Sequence, residues 1–213
     1  MVARPAMRKL SDRAYETLSA TIRERKLKAG EPVVEQHLAE VLGLSRTPLR
    51  HALQRLELEG LLIKAGGRSY QVRKVSIGEY LQSLRVREIL EPEAALQSIG
   101  RVSQAAIDAA RDALRSMARK VPYDMVEHWK SDDAVHDLFI NNCGNAVMTS
   151  TLHALRVTTQ LFEIDRLTDR LDPDSFEHIA ILDAIQNGDG KQAKRAVATH
   201  IRSLIKFAID TIS

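Results

Sequence analysis

The sequence predicts a mostly α-helical protein in two parts, a small basic head with one hairpin and then an antiparallel all-α bundle. Three observations carry this expectation. Apolar residues recur every third or fourth position over most of the 213 residues, which is the helical period. Aromatic residues make up only 4% of the chain, and alternating strand-like segments are scarce. Short Gly- and Pro-containing breaks separate the periodic stretches.

Taken in order, Ala14, Leu18 and Ile22 recur every fourth position between Ser11 and Lys26, with Tyr15 beside them and Ser11 placed to cap the helix. Lys28-Ala29-Gly30-Glu31-Pro32 breaks it, because Pro cannot continue a helix and Gly turns cheaply. A short helix with Leu38, Val41 and Leu42 inside stops at Gly43; Val34 stands where a capping Ser or Asn would hold its start. A third helix opens around Ser45 to Pro48 and turns Leu49, Ala52, Leu53 and Leu56 inward. Leu61-Leu62-Ile63 and Tyr70-Gln71-Val72 flank Ala65-Gly66-Gly67-Arg68-Ser69, the pattern of a hairpin with a Gly-rich, Arg-bearing tip. Lys74-Val75-Ser76 is the expected linker, which divides the chain into 1–74 and 75–213. Beyond it helices are expected near 77–99, 104–119, 124–142, 146–167, 175–187 and 190–210, with Ser103, Asp174 or Ser175, and Asp189 as starts and Asp172-Pro173 as a break. Connections this short imply an antiparallel bundle.

Charge divides the chain at the same place. Residues 1–74 hold 15 Lys/Arg against 8 Asp/Glu, a net +7, and residues 75–213 hold 16 against 20, a net −4. Only the head is expected to meet a polyanion. One cysteine excludes an internal disulfide framework and any multi-cysteine zinc or iron–sulfur site. No apolar run reaches the roughly 18 residues needed to span a membrane. No apolar stretch follows the basic residues near Met1, so the expected setting is cytoplasmic and reducing.

The third helix carries Arg46, Thr47, Arg50, Gln54 and Arg55 opposite its apolar face. Two short helices joined by a Gly-containing turn, the second opening on exposed Arg and Thr, have the geometry of a helix-turn-helix that enters a major groove. Arginine can grip guanine edges or phosphates, and the hairpin tip can reach the neighbouring minor groove as a wing. A solvated helix face is the alternative; the turn, the wing and the charge asymmetry together favour double-stranded DNA. His37 and His51 are expected at the surface. The run Gly43-Leu44-Ser45-Arg46-Thr47-Pro48-Leu49-Arg50, with Leu53, Leu56, Glu57, Glu59, Gly60 and Leu61, resembles the winged helix of GntR-type bacterial transcription regulators. The resemblance implies that Arg46, Thr47 and Arg50 contact the operator, with Ser45 at the helix start and Gly66, Gly67 and Arg68 in the wing. His51 departs from the family's usual Glu, and the wing order Gly66-Gly67-Arg68-Ser69-Tyr70 from its commoner Gly-Arg-Gly.

In the second part, polar residues fall on faces that otherwise build a core. Trp129, Asp132, His136 and Ile140 share one stripe, His178, Leu182 and Ile185 a second, and Ala193, Val197, His200 and Leu204 a third. A buried carboxylate is costly unless paired or metal-bound. One divalent cation would satisfy Asp132, His136, His178 and His200 together as an N/O site. A lone histidine on an apolar stripe is more often a satisfied core residue; three with an aspartate favour metal. His128 and His153 are expected to be structural, and Cys143 to serve packing or capping.

Asp132-x-x-x-His136 leading to Gly144-Asn145, then Glu177-His178, Leu182-Asp183-Ala184-Ile185, Gly188-Asp189, Ala193 and His200, resembles the FCD effector domain of the FadR-like branch of the same regulators. The resemblance implies that those four residues bind a divalent metal, most commonly zinc, with nickel, manganese or iron also fitting. It implies too that Arg87, in Arg87-x-x-Leu90-Glu91, grips a small carboxylate effector. An Arg87–Glu91 surface pair is the plain alternative; Asn145 is expected either to shape the effector pocket or to cap the following helix. The combined expectation is a homodimeric repressor that binds a palindromic operator under the control of an organic acid. A metal-dependent enzyme, or a regulator with a purely structural metal and no effector, are the rival readings.

Overall fold

The computed structural model describes residues 5–66, 69–162 and 167–212, with side chains from Lys9 to Thr211 within those ranges. The chain divides into two compact units, one ending at Ser76 with Gln160–Phe162 grouped to it, the other beginning at Ile77.

The first unit runs α1 (Pro5–Arg23), β1 (Pro32–Val33), α2 (Glu35–Leu42), α3 (Arg46–Leu58), β2 (Leu62–Lys64) and β3 (Tyr70–Val72). Ala14, Leu18 and Ile22 of α1 pack against α3, whose Leu49, Ala52, Leu53 and Leu56 are buried. Among the described residues α1 already runs from Pro5, so Ser11 lies inside it. The helix also ends earlier than the Gly30 break, with Arg25 left-handed at φ 57°. Helix α2 departs further from expectation, since it buries no residue and Val41 is 65% exposed. Val34 makes no side-chain cap there, as its aliphatic side chain requires. Gly43 closes α2 in the left-handed conformation at φ 62°. The hairpin pairs Leu62 with Val72 and Lys64 with Tyr70, and β1, too short to announce itself in sequence, adds to the far side of β3.

The second unit runs α4 (Ile77–Ser98), α5 (Gln104–Ala118), α6 (Met125–Ile140), α7 (Ala146–Leu161), a 3-10 turn (Leu167–Arg170), α8 (Leu171–Gln186) and α9 (Gly190–Ile212). Helix α9 lies along α4 and α8, α5 packs on α6 and α8, and α6 meets α4 and α8. Leu84, Ile107, Val135, Phe139, Ile181, Leu182, Val197 and Ile201 fill the interior. Two expected starts are caps, with Ser103 Oγ accepting Ala106 N–H and Asp189 Oδ1 accepting Gln192 N–H. Asp124 Oδ1, not among the expected starts, accepts the N–H groups of Val126 and Glu127, and Asp174 and Ser175 lie inside α8. Helix α7 ends at Leu161 among the described residues, short of the expected 167. Helix α8 begins at Leu171, ahead of the expected 175. Pro173 is no break, because it sits in the first turn, where an N–H has no intrahelical acceptor to lose.

Candidate metal centre and nucleic-acid face

Asp132 and His136 stand one turn apart on α6, His178 rises from α8 and His200 from α9, and all four are buried. Their nearest ligand atoms all lie within 4.8 Å of one another, so the cluster could hold a metal ion. His136 Nε2 is 3.2 Å from His200 Nε2 and 3.3 Å from His178 Nε2. Asp132 Oδ1 is 3.6 Å from His136 Nε2 and 3.5 Å from His178 Nε2. Donor atoms about 2.0–2.1 Å from a zinc ion sit about 3.3–3.4 Å apart at the corners of a tetrahedron. The spacing and the N/O donor set therefore fit a divalent cation.

The outer ring sets the tautomers. His136 Nδ1 is 2.8 Å from Glu91 Oε2, and His200 Nδ1 is 2.8 Å from Glu177 Oε2. A carboxylate only accepts, so each Nδ1 carries the proton and donates it. With neutral rings, acceptor nitrogens then face each other at 3.2 Å, an arrangement that a cation between them would satisfy. His178 Nδ1 has no hydrogen-bond partner among the described residues. Burial, reinforced by Arg156, holds His136 well below its ordinary pKa, and burial with the neighbouring His200 takes His178 down to about 4. Both rings are thus neutral near pH 7, the form that ligates metal. Burial opposes ionisation of Asp132, but the Arg156 guanidinium foremost among its neighbours outweighs it and holds the carboxyl well below its usual range.

Sequence reasoning missed the residues that surround the tetrad. Arg156 of α7, buried, donates to Asp132 Oδ2 at 2.7 Å and to Asp133 Oδ1 at 2.6 Å. Arg170 binds Asp174, Glu177 at 2.9 Å and Ser203 at 2.7 Å. His128, expected to be merely structural, is buried between Tyr123 Oη at 2.9 Å and Asp174 Oδ2 at 3.2 Å. The paired groups of this ring are five carboxylates (Glu91, Asp132, Asp133, Asp174, Glu177) and three guanidinium groups (Arg87, Arg156, Arg170), an excess of two negative charges. A dication would balance them.

A narrow, largely enclosed cavity adjoins the tetrad, and Arg87, Asp132, His128, Thr159, Arg170 and Phe207 are among its walls. Arg87 thus lines this cavity, but it is already engaged. Its Nε donates to Glu91 Oε1 at 2.5 Å and its Nη1 to Thr159 Oγ1 at 3.0 Å, and the Arg87–Glu91 pair is buried, not on the surface. Asn145 is exposed, and its Oδ1 accepts Met148 N–H at 3.0 Å. It caps α7 and is not among the cavity's walls. His153 is bonded to Asn141, and Cys143 is buried near Thr149.

In the first unit Ser45, Arg46, Thr47 and Arg50 are all exposed at the start of α3. Arg46 and Arg50 line an open cleft with Glu35, Gln36 and Ser69, and Arg50 Nη2 is paired with Glu35 Oε1 at 3.0 Å. In the wing, Gly66 has φ 104°, which a side chain would strain, and Ser69 closes the turn on its carbonyl. Gly67 and Arg68 lie outside the described residues. His37 and His51 are exposed, as expected.

Comparison with known proteins matches both units. The profile of the bacterial regulatory proteins of the gntR family matches residues 10–72, and that of the FCD domain matches residues 82–203. An HTH-type transcriptional regulator from an unstable DNA locus of Streptomyces ambofaciens is 27% identical over 89% of this chain and 81% of its own length. The HTH-type transcriptional repressor NanR of Cronobacter sakazakii is 24% identical over 93% of this chain and 85% of its own. The fold of E. coli McbR/YncC superposes with a TM-score of 0.79 over the whole of both chains at 19% identity. No helix among the described residues is long and apolar enough to cross a membrane. With its head matched by one profile and its bundle by the other, the chain belongs to the GntR family of bacterial transcription regulators, in the branch that carries an FCD domain.

Proposed function

We propose that this regulator binds a palindromic operator as a homodimer through residues 1–74, and that residues 75–213 dimerise and sense a small organic acid beside a divalent metal. Asp132, His136, His178 and His200 would hold the ion, zinc first by the family resemblance with nickel, manganese or iron fitting the same donors, and it would supply a positive charge able to fix one end of a carboxylate. Arg46, Thr47 and Arg50, flanked by Ser45, read the operator, and Gly66, Gly67 and Arg68 carry the wing to the adjacent minor groove. The observation that carries the metal, on which the sensing depends, is the meeting of His136 and His200 at 3.2 Å, both with the proton held away on Nδ1. Relatives named as repressors support the negative sign of control.

A second reading keeps the metal structural, with no effector. It is favoured by the engaged state of Arg87, which has Glu91 and Thr159 for partners. One experiment separates them. Metal-loaded protein is screened by thermal shift against di- and tricarboxylates and sugar acids, and each hit is then titrated into a complex with a duplex selected from a random pool. The sensing reading expects an acid that raises the melting temperature and weakens DNA binding; a metal-stabilised protein indifferent to every acid supports the structural reading.

A further inference from the structure

We propose that Arg156 is a positioning residue that confines Asp132 to ligation through a single oxygen. This inference rests on the metal reading above and concerns a residue that supplies no donor atom. The two carboxylate oxygens of Asp132 face different groups. Oδ1 lies 3.5–3.6 Å from the Nε2 atoms of His178 and His136, whereas Oδ2 accepts Arg156 Nη2 at 2.7 Å. An aspartate can bind a cation through one oxygen or both, and chelation would require Oδ2 to leave the guanidinium and turn to the ion.

Arg156 is poorly placed to let go. It comes from α7, while the four candidate ligands come from α6, α8 and α9. Its side chain is only 4% exposed and its Nη2 is also anchored on Asp133 Oδ1 at 2.6 Å. Its hold on Asp133 keeps Nη2 in place beside Oδ2, and turning Oδ2 to the ion would break a buried ion pair, which is unfavourable. Asp132 also forms part of the cavity wall. Holding it to one oxygen keeps the donor count at four and leaves the cavity side of the ion to solvent or an acid. The effect is opposite to that of Glu91 and Glu177, which aim their imidazoles at the ion by accepting from Nδ1.

The test uses the full chain loaded with cobalt(II), whose visible absorption weakens as donors are added. Arg156→Gln with Asp133→Asn removes one positive and one negative charge together. The double variant is expected to show a several-fold weaker visible band than the wild type, because Asp132 is free to chelate. A wild-type spectrum in the folded double variant overturns the proposal. Should the double variant not fold, zinc-edge X-ray absorption of the wild type decides. One-oxygen ligation keeps the carboxylate carbon clear of the donor shell, and a carbon scatterer close behind that shell contradicts it. A wild type that takes up no cobalt or zinc overturns the metal reading as well, whereas uptake with an unchanged variant spectrum overturns this inference alone.

Discussion

The two units handle charged side chains in opposite ways. On α3 the cations Arg46 and Arg50 are exposed, and Arg50 pairs with Glu35 of α2. In the bundle Arg87, Arg156 and Arg170 are each 2–4% exposed and each is held by at least one carboxylate. An exposed cation keeps its hydration and can exchange it for a phosphate or a base edge at little cost in stability. A buried one must have its counter-ion in place before the fold is stable, so the surroundings of the candidate metal site form part of the core. Substitutions in the first unit should therefore alter binding and leave stability alone; substitutions in the second should alter both.

The largest effect is expected for Asp132→Ala. It removes a candidate ligand and one counter-ion of Arg156, and breaking a buried pair typically costs about 3–5 kcal/mol. Chemical denaturation and metal analysis of the same sample should show lower stability and lost metal. Unchanged stability would place Asp132 with the surface charges and erase the contrast between the units.

How much of this was legible in sequence depends on the range of the interaction. The tetrad was legible because each ligand falls in line with core residues of its own helix, as Asp132 and His136 do with Ile140. Arg156 and Arg170 were not, because an arginine on a helix looks the same in sequence whether it meets water or a carboxylate from another helix. The pairing of His128 with Asp174 is hidden in sequence because the two lie 46 positions apart, and it leaves His128 the structural residue expected. Glu91 and Glu177 stood inside the quoted patterns, beside Arg87 and His178, but their service to His136 and His200 arises only on packing. In the head, the inward face of α3 was legible from its period, whereas the apolar spacing of α2 suggested burial for Val41 that the unit does not supply.

Acid should separate the units next. His178 is ordinarily half-protonated at 6.5 and in the fold at about 4, so the unfolded chain takes up its proton first as pH falls. Its contribution to stability is present in full above pH 6.5 and is lost on the way down to about pH 4, an amount of about 3 kcal/mol at 1.36 kcal/mol per pKa unit. Denaturation midpoints of metal-free protein should fall across that window. A flat profile would mean that His178 is not buried neutral.

Arg50→Ala is expected to weaken binding to the selected duplex by about 1–3 kcal/mol, the usual worth of a base contact, with no change in melting temperature. A lowered melting temperature would show that the Glu35–Arg50 pair is structural and would blur the contrast from the other side. The smallest effect belongs to Asn145→Ala. Loss of its cap on α7 should cost about 1 kcal/mol and leave any acid response intact; a blunted response would return Asn145 to the effector site.

The central claim, a divalent ion nested among α6, α8 and α9, is tested most directly by elemental analysis of the purified chain paired with thermal unfolding before and after chelation. The account predicts about one divalent ion per chain, a melting temperature that drops when the chelator removes it, and recovery when zinc is returned. A preparation free of metal that melts at the same temperature with or without added zinc would contradict it.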